Sequence, residues 1–423
     1  MLPIDARRLD QVHARLSESS TRLVGWGSGS VFDYFQERFP LPLSYLVDND
    51  ASRWGSTRGG VPIDTPSRLL CEDHQLTVVI IYSSAWQEIQ CQLESLGAGL
   101  AAPASAVFAD TRTRERLARA DEIAARPRAA RRPSYARSIV VQGPVWPSVT
   151  EQVLRVFTAL NPDDAVVLST WEDTDLDLLT AVGAVADDVV LSPRPRAAGV
   201  QNRNAQIVST SAGIHRAIEA GASSILKTRT DLALVVPTVF DRASSWLATV
   251  ESSAARAAGL RERIIVPSSF TRKFLLYHPS DLVMLGAADD LRRYWSAPLD
   301  ARTGELLSPQ WIDRPLSAVN MEGNPTESYL GLQFCRTLGR SASGSVRDSW
   351  HFYRDFFAVV DNDWLEMLWF KNLSIPDASV REGVRQMVTQ AFWERLQAGD
   401  AGVEADLLEI DVDRVALRSL AAA

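Results

Sequence analysis

The sequence predicts an α/β protein that contains two parallel-sheet domains and a helical C-terminal tail. Short apolar runs rich in β-branched residues alternate with amphipathic helical patterns in two separate stretches of the chain, an alternation typical of parallel sheets. A stretch rich in proline and arginine separates the two. The length of 423 residues and a hydrophobic content of 46% supply enough apolar side chains for more than one core.

The first domain is predicted to occupy residues 1–105. Its run at residues 77–82 is continuously apolar, which indicates a parallel strand buried on both faces. The predicted elements are strands at residues 22–25, 43–47 and 77–82 and helices at residues 31–39 and 84–96. This amount of chain is enough for one mononucleotide-binding half of a Rossmann-like sheet.

The loop after the first strand, GWGSGS at residues 25–30, imitates a dinucleotide-binding fingerprint, since Asp48 follows the next strand. The match is imperfect because the spacing is G-x-G-x-G and Ser30 stands where the last glycine of the fingerprint would be. With DNDASRWG at 48–55 and GGVPIDTP at 59–66, the domain resembles the small Rossmann-like domains found beside sugar-modifying enzymes.

Residues 106–137 are predicted to be a linker that begins with a charged helical pattern. Residues 126–133 then contain two prolines and four arginines, which cannot build a core. A basic linker is usually solvated, and contact with anionic lipid headgroups is the alternative.

The second domain is predicted to span residues 138–375, followed by a C-terminal helical extension at residues 376–423. Alternation of strands and helices again favours a parallel sheet. The predicted strands lie at 139–141, 165–168, 189–191, 224–227, 264–266 and 282–285, and the predicted helices at 149–160, 204–220, 327–338 and 380–396.

Composition excludes several classes of protein. The formal net charge of −8 argues against a nucleic-acid partner. Three scattered cysteines are too few for a disulfide framework or a zinc site. The N-terminus lacks the apolar core of a signal peptide, and no apolar run reaches the roughly 18 residues that span a bilayer. We therefore expect a cytoplasmic protein without an integral membrane segment, with peripheral contact at the inner face of the membrane as an option.

Three strand ends of the second domain carry residues suited to ligand binding. Ligands of open α/β sheets bind beyond the carboxyl ends of the strands. Gln142-Gly143-Pro144 lets a ligand approach the backbone, Glu172 can bind a ribose or base, and Asp231 with Arg229 suits a diphosphate. Acids also end many strands as turn formers, so each position alone has a purely structural interpretation.

These strand ends belong to a longer resemblance. From residue 138 to about 370 the chain resembles the WavE-type lipopolysaccharide synthesis family of GT-A-like glycosyltransferases. The matching segments are SIVVQGPV (138–145), VVLSTWE (166–172), NRNAQIVST (202–210), ILKTRTDL (225–232), RIIVP (263–267), HPSDLVMLG (278–286) and PTESY (325–329). The resemblance implies a nucleotide-sugar donor and a glycan or lipid-linked glycan acceptor, in the synthesis of bacterial surface polysaccharide.

The resemblance also implies a donor pocket. Gln142, Gly143 and Pro144 would border the nucleotide. Thr170, Trp171 and Glu172 would face its base or ribose. Asn202, Asn204 and Gln206 would line the pocket at the start of a helix. Ala205 replaces a basic residue of the family, which shifts phosphate contact toward Arg203. Asp231 would be the remnant of an Asp-x-Asp metal and diphosphate signature whose first acid is Arg229 here. A divalent metal (Mg²⁺ or Mn²⁺) is therefore a candidate cofactor, and Arg229 in place of the ion is the alternative.

Asp281 and Glu327 are the candidate catalytic bases. An inverting transferase needs a carboxylate to deprotonate the acceptor hydroxyl. Glu327 lies at a predicted helix start, where an acid is also favoured by the helix dipole, whereas Asp281 precedes a strand. His351 is a candidate second metal ligand beside Asp231, although a lone histidine among aromatic residues is more often packed in a core.

Two other functions stay open at this point. The first domain could bind NAD(P) in an enzyme that modifies nucleotide sugars, although no catalytic Lys-Tyr pair or reactive cysteine supports a redox cofactor. The chain could also be a module that binds a nucleotide sugar without turnover, for which Arg229 is the best argument.

Overall fold

The computed structural model describes residues 6–83, 85–127, 133–373 and 383–420. Within them the chain forms two compact units. The first contains residues 6–126 with 146–152 and 368–373, and the second contains residues 133–145, 153–367 and 383–420. Both units combine helices with a largely parallel sheet, which confirms the predicted α/β class. No helix of the described residues is both long and apolar enough to cross a bilayer.

The first unit is built on a six-stranded sheet of order β3-β4-β2-β1-β5-β6. All neighbouring strands are parallel except the short β3-β4 pair. The central strands are buried along nearly their whole length. The strands are β1 (Arg22–Trp26), β2 (Tyr45–Val47), β3 (Thr57–Arg58), β4 (Val61–Asp64), β5 (Thr77–Ile81) and β6 (Leu100–Pro103), and the helices are α1 (Ala6–Leu16), α2 (Ser30–Arg38), α3 (Trp86–Ser95), α4 (Ala104–Val107) and α5 (Thr111–Ala124).

Helix α5 belongs to the first unit, whereas the sequence analysis placed its residues in a linker. Its residues Leu117, Ala120 and Ile123 are buried, and the backbone N–H of Ala6 at the start of α1 donates to Asp121 at 2.8 Å. The first unit therefore extends to residue 126 because this charged helix still has one apolar face. Residues 128–132 of the expected basic stretch lie outside the described residues.

A seven-stranded sheet of order β14-β12-β13-β10-β7-β8-β9 organises the rest of the chain. Its strands are β7 (Ser134–Gln142), β8 (Asp164–Trp171), β9 (Asp188–Ser192), β10 (Ser224–Arg229), β12 (Ile264–Pro267), β13 (Met284–Ala287) and β14 (Phe357–Val360), and two further short strands are β11 (Leu232–Leu234) and β15 (Met367–Trp369). Strand β13 runs antiparallel to both of its neighbours, β10 and β12, which the expectation of a parallel sheet did not include.

Helices cover this sheet and continue into the C-terminal segment. They are α6 (Val149–Leu160), α7 (Leu176–Gly183), α8 (Arg203–Glu219), α9 (Val239–Thr249), α10 (Ser253–Ala257), α11 (Ala288–Tyr294), α12 (Pro309–Ile312), α13 (Leu316–Met321), α14 (Thr326–Thr337), α15 (Val346–Phe356), α16 (Asn362–Leu365), α17 (Gln390–Ala398) and α18 (Val403–Asp406). Helix α17 begins ten residues later than the tail helix predicted at residues 380–396. Residues 383–385 form a 3₁₀ turn instead, and residues 380–382 lie outside the described residues.

The strand order reverses between β7 and β10. The chain moves from β7 to β8 and β9 on one side and then returns to place β10 on the other side of β7, with both pairs parallel. Such a switch point leaves a crevice at the carboxyl ends of the two strands, where α/β proteins bind ligands. Gln142 and Arg229, which are register partners, lie at these two ends.

Helix α8 packs closely on this sheet at Gly213. A Cβ atom on Gly213 would lie 2.5 Å from Cγ1 of Val140 and 2.9 Å from Cβ of Ser169. Glycine is therefore needed here because it lets the helix backbone approach the two central strands. This contact sets how far the first turn of α8 stands from the carboxyl ends of β7 and β8.

Gly213→Ala is expected to lower the free energy of unfolding by about 1–3 kcal/mol, since overpacking outweighs the better helix propensity of alanine. Urea unfolding monitored by circular dichroism measures the change. Gly183→Ala is the matched control, because a Cβ there meets only Val189 at 3.9 Å, so no loss is expected. An equal loss in both variants would contradict the close-packing argument.

Candidate functional site

The crevice begins with Gln142 and Gly143 at the end of β7. Oε1 of Gln142 accepts a hydrogen bond from Oγ of Ser209 on α8 at 2.8 Å, so its amide group is fixed against the helix. Gly143 has φ +129°, and a Cβ on it would lie 3.0 Å from Oγ1 of Thr230. A side chain is disfavoured there on both grounds, which keeps the backbone of β7 bare at the crevice.

Arg229 and Asp231 form a two-pronged ion pair at the end of β10. Nε and Nη2 of Arg229 donate to Oδ1 and Oδ2 of Asp231 at 2.8 and 3.0 Å. Asp231 is fully buried, whereas 22% of the Arg229 side chain stays exposed. Burial opposes the charge of Arg229, but the Asp231 carboxylate outweighs it and raises the pKa of the guanidinium. The site therefore presents a permanent, oriented positive charge.

This geometry does not fit a divalent ion on Asp231. Both of its carboxylate oxygens accept from Arg229, so an ion would have to displace the guanidinium. Over the described ranges no cluster of three or more His, Cys, Asp or Glu side chains is placed to hold a metal ion. A need for Mg²⁺ or Mn²⁺ stays a prediction, and the arrangement favours Arg229 as the local cation.

His351 lies on α15, half-buried. Burial and the charge of Arg354 lower its pKa, and the other charged groups that act on it, among them Asp355, also belong to α15 and its end. A metal site shared by His351 and Asp231 stays a prediction.

Lys227 is a fully buried cation that sequence analysis did not single out as a site residue. Its Nζ donates to the backbone carbonyl of Asp281 and lies 4.8 Å from the ring centre of Trp295. Burial lowers its pKa to about 8, opposed by the charge of Asp281. Lys227 and Arg229 point to the same face of β10, since side chains two residues apart in a strand share a face.

Asp281 and Glu327 lie close enough to these cations to act on them electrostatically. Asp281 is 5% exposed, and the Glu327 side chain, in the first turn of α14, is 20% exposed. Burial raises the pKa of Glu327 to about 7, and the charge of Asp281 adds to the rise. The structure therefore brings together the two carboxylates predicted as base candidates. Their catalytic roles remain a prediction.

Glu327 contacts His278, which sequence analysis had left without a role. Nε2 of His278 lies 3.3 Å from Oε2 of Glu327, and Nδ1 lies 3.0 Å from the carbonyl oxygen of Phe270. Burial, and then the charge of Arg272, lower the pKa of His278 to about 3. The ring is therefore neutral, and this contact is not an ordinary ion pair.

Two residues predicted to line the donor pocket face the interior instead. The buried Arg203 donates to the carbonyl oxygens of Val200, Gly323 and Asn324. Asn204 holds the backbone of Asp300 through both ends of its amide, at 2.8 and 2.7 Å. Arg203 thus fixes the loop before α14 and Asn204 fixes the backbone at Asp300, so we assign both a positioning role.

The remaining predicted donor-pocket residues differ in exposure. Pro144, Glu172 and Asn202 are exposed, and Thr170 and Trp171 are buried at the end of β8. Gln206 is half-buried, and its Oε1 has no hydrogen-bond partner within the part of the chain that the structure describes. An unpaired buried amide oxygen in the first turn of α8 is available to a ligand or water.

The glycine-rich loop of the first unit is closed on itself. Oδ2 of Asp48 accepts from N and Oγ of Ser28 at 2.8 and 2.6 Å. A Cβ on Gly27 would lie 2.6 Å from the carbonyl oxygen of Tyr82, so this glycine is required by packing against the residue that follows β5. The carboxylate that would bind a ribose in a dinucleotide site is already engaged by the loop, which weighs against NAD(P) binding here.

Comparison with known proteins bears on the second unit. Residues 137–342 match the family described as WavE lipopolysaccharide synthesis. We call these residues the WavE segment. This WavE segment covers just under half of the 423 residues and includes every predicted site residue except His351. Comparison with curated proteins and with solved structures gave no match to the chain. The family description indicates a role in lipopolysaccharide synthesis and names no reaction.

Proposed function

We propose that the WavE segment is a GT-A-like glycosyltransferase that moves a sugar from a nucleotide donor to a glycan or lipid-linked glycan in bacterial surface polysaccharide synthesis. One observation carries the proposal: the oriented charge of Arg229 lies at the β7/β10 switch point near the buried carboxylate of Asp281 and the partly buried one of Glu327. A cation for a leaving diphosphate and a base for an acceptor hydroxyl are the two groups that sugar transfer requires. The cytoplasmic location expected from the sequence suits such a donor.

On the donor side, Arg229 would neutralise the diphosphate. A guanidinium binds phosphate oxygens through paired, charge-assisted hydrogen bonds, and its fork is already oriented by Asp231. Because the charge is in place before the reaction, it stabilises the negative charge that develops as the diphosphate leaves. The bare backbone at Gly143 gives the nucleotide room to lie along the end of β7.

On the acceptor side, a carboxylate would take the proton of the attacking hydroxyl. The acceptor O–H bond breaks as its oxygen bonds to the anomeric carbon, and the bond from that carbon to the diphosphate oxygen breaks with its electron pair leaving on the diphosphate. Glu327 and Asp281 are the two groups of the site able to accept that proton. The proton and charge balance therefore closes with residues of this chain.

A nucleotide panel on the full-length protein tests the proposal. UDP, GDP, CMP, dTDP, NAD and NADP would each be added with Mg²⁺, with Mn²⁺ and with EDTA, and thermal melting recorded, since a ligand of the native state raises the melting temperature. We expect a rise with one of the first four nucleotides that persists in EDTA. A rise with NAD or NADP alone, or with no ligand, would contradict the proposal.

Arg229→Ala is expected to weaken binding of that nucleotide by about 10- to 100-fold, because charge-assisted hydrogen bonds to phosphate are lost. Isothermal titration calorimetry measures the loss. The single variant leaves the buried Asp231 without its partner, so the double variant Arg229→Ala/Asp231→Asn separates binding from stability. Arg256→Ala, which removes an exposed arginine paired with Glu251, is the control and should bind normally. Unchanged binding in the double variant would exclude the role of Arg229.

A further inference from the structure

We infer that His278 is a positioning residue that holds Glu327, as the base of the transfer reaction, in a neutral hydrogen-bonded pair. The inference rests on the proposed function and deepens it. It selects one of the two carboxylates and gives a role to a histidine that the proposal does not use. It is carried by the contacts of the imidazole ring on both of its nitrogen atoms.

The hydrogen-bond partners of the ring define its tautomer. The carbonyl oxygen of Phe270 can only accept a hydrogen bond, so Nδ1 of His278, 3.0 Å away, carries the hydrogen and donates it. In a neutral ring Nε2 then has a lone pair and no hydrogen. Two lone-pair atoms repel at 3.3 Å, so the contact with Oε2 of Glu327 is favourable when the carboxyl group carries the proton and donates it to Nε2.

The alternative, a charged imidazolium beside a carboxylate, is disfavoured by burial. His278 is 5% exposed, and the charge of Arg272 opposes a second cation nearby, which together bring its pKa to about 3. Burial and the charge of Asp281 act on Glu327 in the opposite sense and bring its pKa to about 7. Both effects place the shared proton on Glu327.

The groups that face Glu327 come from several elements and oppose one another. The Asp281 carboxylate favours the protonated acid, whereas Arg203, Arg272 and the backbone N–H of Glu327 itself favour the anion. Burial, which favours the protonated acid, outweighs these three groups. The other ionisable groups that interact with Glu327 are Lys227 and Arg229 on β10 and the buried hydroxyl of Tyr294 on α11.

The backbone on both sides of the ring is strained. Phe270 and Tyr277 have φ values of 67° and 51°, in the left-handed region that aromatic residues rarely adopt. Phe270 supplies the carbonyl that fixes Nδ1, and the backbone N–H of His278 donates to the hydroxyl of Tyr353 at 2.8 Å. Strain of this kind persists where the surrounding structure requires one geometry, which here is that of the ring.

Burial and the charge of Asp281 bring the pKa of Glu327 to about 7, and the contact with Nε2 of His278 favours the same protonated form. A general base works best when its pKa lies near the working pH, and an ordinary glutamate is too weak a base for that. After Glu327 has lost its proton it can accept that of the acceptor hydroxyl, and the new O–H again has Nε2 of His278 as its acceptor. The ring itself takes up no proton in this step.

Infrared spectroscopy of the full-length protein in D₂O tests the pair without any substrate. The C=O stretch of a protonated carboxylic acid would be followed from pH 5 to 9. We expect a band that titrates with a midpoint near 7 and is missing in Glu327→Gln. His278→Gln, whose amide N–H can donate to the carboxylate, should lower the midpoint by about one unit or more.

Asp281→Asn should lower the midpoint as well, because it removes a charge that favours the acid, and it serves if His278→Gln does not fold. His215→Gln changes an exposed histidine of α8 and should leave the midpoint unchanged. A Glu327 band that titrates near 4.5 would overturn the inference. So would a midpoint unaffected by His278→Gln or, where that variant does not fold, by Asp281→Asn. If the band titrates near 7 as expected but no nucleotide raises the melting temperature, the His278–Glu327 pair stands and the proposed function does not.

Discussion

Glu327→Gln is expected to reduce the turnover number for sugar transfer by about 10²- to 10⁴-fold, the usual contribution of a general base. Glutamine keeps the size of the side chain and a hydrogen-bond contact with His278 but cannot take up a proton. Binding of the donor nucleotide should change little, since the phosphate contacts come from Arg229. Steady-state rates with the donor identified by the nucleotide panel, together with the dissociation constant of that nucleotide, measure the two effects separately.

The pKa of Glu327 also determines how the stability and the activity of the native protein change with pH. The pKa of Glu327 is about 7 in the folded protein and 4.5 as an unperturbed group. Its contribution to stability is therefore complete below about pH 4.5 and is lost as the pH rises through 7, because the folded state retains a proton that the unfolded chain releases. Activity should follow the opposite course and rise through pH 7, where the base becomes ionised.

Glu327→Gln removes the carboxyl group whose deprotonation lowers stability, so the variant should not show this loss as the pH rises. Urea unfolding at pH 5 and pH 8 should show that the variant gains stability relative to the native protein as the pH increases. Glu322→Gln, an exposed glutamate in the loop before α14, is the matched control for activity. If Glu327→Gln kept more than a tenth of the turnover while Asp281→Asn abolished it, Asp281 would be the base instead.

Sequence patterns predicted those elements whose signal is local. The apolar runs at 139–141 and 165–168 became the buried centres of β7 and β8, and the helical pattern at 204–220 became α8 with ends shifted by one residue. The antiparallel direction of β13 was not predictable in this way. An apolar run of four residues has the same pattern in a parallel and in an antiparallel strand. The orientation of the strand depends on the long connection from β12.

The site was predictable where it depends on strand ends and missed where it depends on tertiary contacts. Gln142, Arg229 and Asp231 were identified because a parallel sheet places the ends of β7 and β10 together. Lys227 and His278 were not, since their partners, Asp281 and Glu327, lie about 50 residues further along the chain. One signal did exist for Lys227: it is one of three lysines among 44 basic residues.

Arg203 shows the opposite error. A polar segment at a helix start is compatible with a ligand-binding mouth and with an internal clamp, and the segment NRNAQ does not distinguish them. The structure turns the Arg203 guanidinium inward, where it lies 4.8 Å from the ring centre of Tyr329 and pairs with Asp300 at 3.0 Å. The decisive information is the position of the loop at residues 322–325, which comes about 120 residues later.

Arg203→Ala is accordingly expected to destabilise the protein by about 3–5 kcal/mol, a large loss for one substitution. Burial lowers the pKa of Arg203 to about 10, so the side chain is still charged at neutral pH. Its removal leaves the carbonyl oxygen of Asn324 without its side-chain donor, that of Gly323 with Arg302 alone, and the buried Asp300 with one cation fewer. The midpoint of urea unfolding at constant slope measures the loss.

Two further variants separate charge from geometry. Arg203→Lys keeps a cation but cannot reach three carbonyls from one planar group, so an intermediate loss is expected. Arg302→Ala removes the half-exposed arginine that also pairs with Asp300, and water can replace it, so its cost should be well below that of Arg203→Ala. Equal costs for the two alanine variants would contradict a buried clamp. Because the clamped loop leads directly into α14, its loss should also displace Glu327 from His278 and lower the midpoint of the carboxylic acid band in any variant that still folds.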